Sequence, residues 1–171
     1  NLRSMTLAAS ILRQYNFNGV FKDFHKSQTG QKSNILEINE ACGLHYYLSK
    51  FKKCRYVSYP LVDMQNLPYE NFTFDIIIHS DTLEHVKDSL LGLKECFRVL
   101  KNNGKIFYTI PIIHERLSKR RDGLPSSYHG IQDETQGEDY KVWTEYGADF
   151  WVELIKAGFR EISIHTIEDL A

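Results

Sequence analysis

Residues 73–111 read TFDIIIHSDTLEHVKDSLLGLKECFRVLKNNGKIFYTIP, and their pattern decides the fold. Phe74 to Ile78 is a short, almost wholly apolar run, which suits a strand covered on both faces within a parallel sheet. Leu90, Leu93, Phe97 and Leu100 recur every three or four residues and predict one apolar helix face. Asp88 or Ser89 can cap the start of that helix, and an acidic residue there suits the helix dipole. Asn102-Asn103-Gly104 tolerates positive φ, so the helix is expected to stop there. Lys105 to Ile110 returns as a second apolar strand. Strand, crossover helix and strand make a βαβ unit.

Working outward, Asn34 to Ile38 predicts a first strand, Leu44 to Phe51 an amphipathic segment, and Arg55 to Ser58 a second strand. Upstream, Asn1 to Tyr15 predicts a helix with Leu7, Ile11, Leu12 and Tyr15 on one face, capped by Ser4 or Thr6. Asn16 to Ser33 is polar, with turn signals at Asn18-Gly19 and Thr29-Gly30. Downstream, residues 112–141 are polar and lack periodicity, which is long for a connection inside a compact domain; such loops are usually functional lids or disordered. Thr144 can cap a helix over Glu145 to Ala157 with Phe150, Trp151, Leu154 and Ile155 on its apolar face. Glu161 to Ile167 predicts a late strand. The fold class is α/β, a doubly wound and mostly parallel sheet, as one domain over residues 1–171.

Hydrophobic types at 42% of 171 residues supply a core for that single domain. Lys plus Arg number 21 against 22 Asp plus Glu, so no net field draws the chain to nucleic acid or to an anionic membrane. No apolar run is long enough to span a bilayer, and no signal peptide is visible. Cys42, Cys54 and Cys96 form neither a disulfide framework nor a metal-ligand pattern, which points to a reduced, cytoplasmic setting without a metal.

The ordered set Leu83-Glu84-His85, Arg98-Val99-Leu100-Lys101-Asn102-Asn103-Gly104 and Ile110-Pro111 resembles the class I S-adenosylmethionine-dependent methyltransferases, in their small-molecule branch. Asp63-Met64-Gln65-Asn66-Leu67-Pro68 sits where that branch carries an Asp-x-x-x-Leu-Pro element. The resemblance runs from about Asn34 to Phe159. It implies a Rossmann-like sheet, here without one crossover helix, because only Leu61-Val62 separates Pro60 from Asp63, and without the last strand, because the sequence stops at Ala171; for both, the alternative is that residues are missing from the sequence. The family's cofactor loop carries glycines two, four and six residues beyond an acidic strand end; counting from Glu37, this chain has Asn39, Ala41 and Gly43. Asn tolerates the left-handed region and Ala is the next smallest residue, so the loop can still turn.

By resemblance, Glu37 holds the loop and the amino-acid end of the cofactor, Asp63 accepts from the adenine amine, and Met64 packs on the ring. Each has a plainer reading: Glu37 capping local amides, Asp63 closing a turn. The second strand ends in Ser58-Tyr59-Pro60, without the family's ribose-binding carboxylate. His79-Ser80-Asp81 ends the central strand; ligands sit beyond such carboxyl ends in open α/β sheets, so Ser80 and Asp81 are expected near the sulfonium, with a polar strand end that merely starts a loop as the plainer reading. Glu84 and His85 can act as an acid/base pair or cap the next helix; Glu84 is expected to be architectural, and His85 stays open. Pro125-Ser126-Ser127-Tyr128-His129-Gly130 resembles an element of a subgroup associated with saccharides and natural products. His129 is the candidate general base there, with a histidine that orders its own loop as the alternative.

The basic cluster Arg116 to Arg121 can meet an acceptor anion or be a solvated charge run. In the resembled family, residues 1–33 would cap the cofactor site and 112–143 would shape the acceptor side. The implied function is methyl transfer from S-adenosylmethionine to a small-molecule acceptor, with neither nucleic acid nor membrane as partner and no oligomeric state readable. The altered glycine loop and missing ribose carboxylate keep a cofactor-free binding module on the same fold as the alternative.

Overall fold

A computed structural model describes residues 1–128 and 140–165. Its centre is a four-stranded, all-parallel sheet of β1 (Ile35–Ile38), β2 (Cys54–Val57), β3 (Phe74–Ser80) and β4 (Leu100–Thr109), in the order β2-β1-β3-β4. The strand period of two divides the core. Ile35, Ile76 and Ile78 face α1 (Leu2–Gln14), α2 (Phe21–Phe24) and α4 (His45–Leu48). Leu36, Ile38 and Ile77 face α5 (Ser89–Val99) and α6 (Trp151–Ala157). The expected doubly wound sheet is therefore present. The link from β2 to β3 crosses over β1 without a helix.

Several local expectations are corrected. The cap of α1 is Asn1, whose side chain accepts the N–H of Ser4; neither Ser4 nor Thr6 serves. The segment expected as a polar connection folds into α2 and α3 (Gln28–Lys32), because Phe24 is buried among Tyr15, Phe17, Phe21 and Phe51 at ring distances of 5.4–6.2 Å. Helix α5 buries Ser89, Gly92, Leu93, Cys96 and Val99, whereas Phe97 is 45% exposed and packs edge-on against Phe159. Its cap is Asp88, which accepts the N–H of Leu91 at 2.9 Å.

Helix α5 ends at Val99, and Asn102-Asn103-Gly104 lies inside β4. The pairing jumps from Phe74↔Leu100 to Ile76↔Lys105, so these residues form a bulge, with Asn103 at φ 65°. Thr144 is buried in the two-residue strand β6 (Thr144–Glu145), paired antiparallel with β5 (Lys119–Arg120), and α6 starts only at Trp151. On α6, Leu154 and Ala157 are buried while Trp151 and Ile155 are exposed. Gly158 closes the helix at φ 113°. The expected late strand is absent from residues 161–165; the rest of it lies outside the described residues.

The Arg98 to Gly104 motif has a structural basis. The Arg98 guanidinium donates to Glu95, to the carbonyls of Leu67 and Tyr69, and to Asn71, at 2.7–3.0 Å. The Leu67 N–H donates to Glu95. One ion pair therefore fastens the helix-free crossover to α5. Arg98→Ala is expected to cost about 2 kcal/mol, because it leaves carbonyls and Glu95 without their charged donor. Equilibrium urea unfolding measures this, and an unchanged midpoint would remove the fastening role.

Candidate active site

The carboxyl ends of β1, β2 and β3 open on one edge of the sheet. There Glu37 is 1% exposed. One of its oxygens accepts the Ala41 N–H at 2.9 Å, and the other lies 2.9 Å from Nδ1 of His45. The carboxylate thus pins the first loop to the start of the following helix. The loop turns through two left-handed residues, Asn39 at φ 53° and Cys42 at φ 49°. Asn can take up that conformation, and a single loop residue does so in place of glycine. The Asn39 side chain also accepts the N–H of Tyr59 at 3.0 Å, tying the end of β2 to the loop.

The β3 end meets this loop. Ser80 is buried, with its hydroxyl 2.6 Å from that of Thr109 on β4 and 3.7 Å from Cys42 Sγ. Asp81 also turns through the left-handed region, at φ 48°. Its carboxylate receives the Arg3 guanidinium at 2.6 Å and the Thr109 hydroxyl at 3.4 Å. The next residue of α1, Ser4, accepts the Gly43 N–H at 3.2 Å. The first turn of α1 therefore touches both the loop and Asp81.

Asn39, Ala41, Gly43, Ser80 and Asp81 are thus brought together. Asp63 and Met64 are engaged elsewhere. The Asp63 carboxylate accepts the backbone and side-chain N–H groups of Gln65 at 2.8–3.1 Å, and Gln65 in turn accepts the Asp88 N–H. Met64 is buried in the α5-side core beside Gly92.

Glu84 is buried. His85 has Nδ1 3.0 Å from the Lys141 carbonyl and Nε2 3.8 Å from Glu84, so it ties the returning chain to this loop. His129 lies outside the described residues. Of the basic cluster, Arg116 and Arg121 both bind Glu145, and Arg120 binds Asp122. Those two guanidiniums, the hydrogen bond from Arg116 first, hold the Glu145 carboxyl below its ordinary value. The cluster is thus braced by carboxylates within the strap that follows β4.

Burial, with the Glu37 charge adding, pushes the Cys54 thiol up to about 12, and burial raises Cys96 further, so neither supplies a thiolate near neutral pH. Among the described residues no cluster of His, Cys, Asp or Glu could hold a metal ion, and no helix is long and apolar enough to cross a membrane.

Sequence reasoning missed Arg3, Ser4, His45 and Thr109. A signal existed for Ser4, the polar member of a stripe with Leu7 and Ile11 at helical spacing. Nothing local marks Arg3, which reaches a residue 78 positions away.

A parallel sheet covered by helices on both faces, with polar side chains gathered at its carboxyl edge, is a Rossmann-like architecture. Residues 31–108 match the family model described as a methyltransferase domain. A protein of Bacillus halodurans C-125 assigned as a methyltransferase superposes with TM-score 0.52 at 15% identity, over 83% of this chain and 66% of that one. A similar structure is the complex between the Haloferax volcanii Trm112 methyltransferase activator and its assigned methyltransferase, with TM-score 0.53, 11% identity, and 94% and 77% of the two chains covered. A third is the [4+2]-cyclase SpnF, with TM-score 0.51, 17% identity, and 83% and 58% covered. This chain thus spans about two thirds of the length of the Bacillus halodurans protein. No curated protein sequence is significantly similar to it. Residues 31–108 of this chain are thus similar to a methyltransferase domain, and what the chain shares with these structures is the Rossmann-like fold.

Proposed function

We propose that this protein transfers the methyl group of S-adenosylmethionine to a small-molecule acceptor of the saccharide or natural-product kind, in a cytoplasmic setting. The observation that carries the reading is the meeting of the Asn39 to Gly43 loop with Ser80 and Asp81 at one sheet edge, joined through the 3.7 Å contact of Cys42 with Ser80. The donor set suits the cofactor: the Asp81 carboxylate, 21% exposed and partly offset by Arg3, stands beside the loop that the buried Glu37 orders, at an edge suited to a ligand bearing an ammonium and a sulfonium. In this reading Glu37 shapes the loop around the amino-acid end, Asp63 receives the adenine amine by exchanging its contacts with the Gln65 side-chain amide, and Met64 backs that side through packing. Ser80 and Asp81 face the sulfonium.

Bound there, S-adenosylmethionine supplies a methyl carbon activated for displacement. The protein's own task is to align the acceptor behind that carbon and exclude water, which can contribute about 7–11 kcal/mol of the barrier. Residues 112–143 form the acceptor side in this proposal, and residues 1–33 the cap of the same single domain. His129 takes the acceptor proton where one must leave, with His85 as the second candidate.

A thermal shift tests the reading. Ligand at about one hundred times Kd stabilises the native state by about 2.7 kcal/mol. S-adenosylmethionine and S-adenosylhomocysteine are both expected to raise Tm by several degrees. An unmoved Tm at millimolar concentrations of both would end it.

A further inference from the structure

The first turn of α1 brings a positive charge to the edge where the sulfonium would sit. The Arg3 guanidinium is 2.6 Å from Asp81 Oδ2, with side-chain exposures of 53% and 21%. Arg3 is held there by its neighbour: Ser4 is buried, accepts the Gly43 N–H, and donates to the Asn1 side chain at 3.1 Å. Asp81 has little freedom to turn away, since its own N–H donates to the Thr109 carbonyl at 3.0 Å and its other oxygen meets the Thr109 hydroxyl. The charge of the Asp81 carboxylate at the β3 end is thus offset by a cation 78 positions away in the sequence.

Methyl transfer changes the charge of the ligand at this point. The donor carries a sulfonium, and the product is a neutral thioether: the C–S bond breaks with its electron pair on sulfur, the methyl carbon bonds to the acceptor nucleophile, and the acceptor's proton, where it has one, goes to a base or to solvent. A carboxylate alone would favour the donor over the product, and a carboxylate already paired with a guanidinium would not.

We propose that Arg3, delivered by α1 to Asp81, is a specificity-determining residue that weights the site away from the cationic donor and toward the neutral product. This rests on the functional reading above. It makes product release sensitive to the position of α1, because the pair exists only while the first turn is docked on the loop. The same geometry ties the donor preference to ionic strength, since a partly exposed pair is screened by salt.

Isothermal titration of the full chain with S-adenosylmethionine and S-adenosylhomocysteine tests it. Arg3→Met is expected to raise the ratio Kd(product)/Kd(donor) by about two- to fivefold at low ionic strength, the range of a partly exposed ion pair. The change should shrink in high salt. Arg3→Lys should keep the wild-type ratio, and Asp81→Asn should lower it and cancel the effect of Arg3→Met in the double variant. Circular dichroism confirms that each variant is folded. If both ligands bind and Arg3→Met leaves the ratio unmoved, the role of Arg3 is overturned while the functional reading stands. If neither ligand binds any variant, the functional reading falls and this inference falls with it.

Discussion

Replacing Glu37 with alanine is expected to destabilise the protein by about 3 kcal/mol, or a Tm loss of about 6–12 °C for a chain of this size. The Glu37 carboxylate is almost fully buried and both oxygens are used. Its removal leaves the N–H of fully buried Ala41 without an acceptor and strips His45 of its partner. Buried donors left unpaired cost about 1–3 kcal/mol each. The loop that turns through Asn39 and Cys42 then keeps only its ties to Tyr59, Ser80 and Ser4, so the edge should loosen as stability falls. Glu37→Gln keeps one carbonyl for Ala41 and should lose about a third as much. Differential scanning calorimetry decides this: equal melting of wild type and Glu37→Ala would show that the loop stands without the carboxylate.

The second large effect is a dependence on acid centred on His79. This residue sits on β3 one position before Ser80, wholly buried, with its ring stacked on Tyr108 at 4.8 Å. Among the described residues neither ring nitrogen has a hydrogen-bond partner. Burial alone drives its pKa from 6.5 down to about 3, so the folded protein holds the imidazole neutral. The unfolded chain takes up a proton below about 6.5, and the folded chain does not until about 3. More protons are then bound by the unfolded state, so the stability contributed by this site is complete above 6.5 and falls with pH.

Between about pH 7.5 and about pH 5 the loss from this one group is about 2 kcal/mol. His79→Phe keeps a flat ring against Tyr108 and carries no proton. It should be as stable as wild type or more so by about 1–2 kcal/mol near neutral pH, since an unpartnered polar ring is replaced by an apolar one. Its acid limb should be flatter by about 2 kcal/mol over the same interval. Urea unfolding at the two pH values measures both. Parallel pH curves for wild type and variant would remove His79 from the account.

His79 also shows why part of the site was legible and part was not. In the sequence it is the polar residue closing an apolar run, expected only as a strand end. The structure turns it into the α5-side core, because the strand alternates and Ser80 takes the opposite face. Strand alternation fixed which residues oppose each other; the depth of burial came from helices packed later in the chain. The same division runs through α5. Helical spacing announced a helix, yet four apolar positions could not say that Cys96 and Gly92 face the sheet while Phe97 leaves it. Gly92 is buried because Met64 approaches it closely, a contact across 28 residues of sequence.

The bulge in β4 follows the same rule. Asn102-Asn103-Gly104 correctly marked residues able to take positive φ, and Asn103 does so. Turn chemistry is local, but whether the chain turns away or stays in the sheet depends on the hydrogen-bond partner that β3 offers.

By itself the sequence determined the parallel α/β core, its βαβ unit, a cap for α5 at Asp88 or Ser89 and the loop that Asn39 can turn, because periodicity, caps and φ preferences act over a few residues. Only the tertiary structure decided that Arg3 meets Asp81, that Ser4 meets Gly43 and that Thr109 meets Ser80. Such encounters depend on where packed helices and neighbouring strands bring distant side chains, and no short-range pattern encodes that approach.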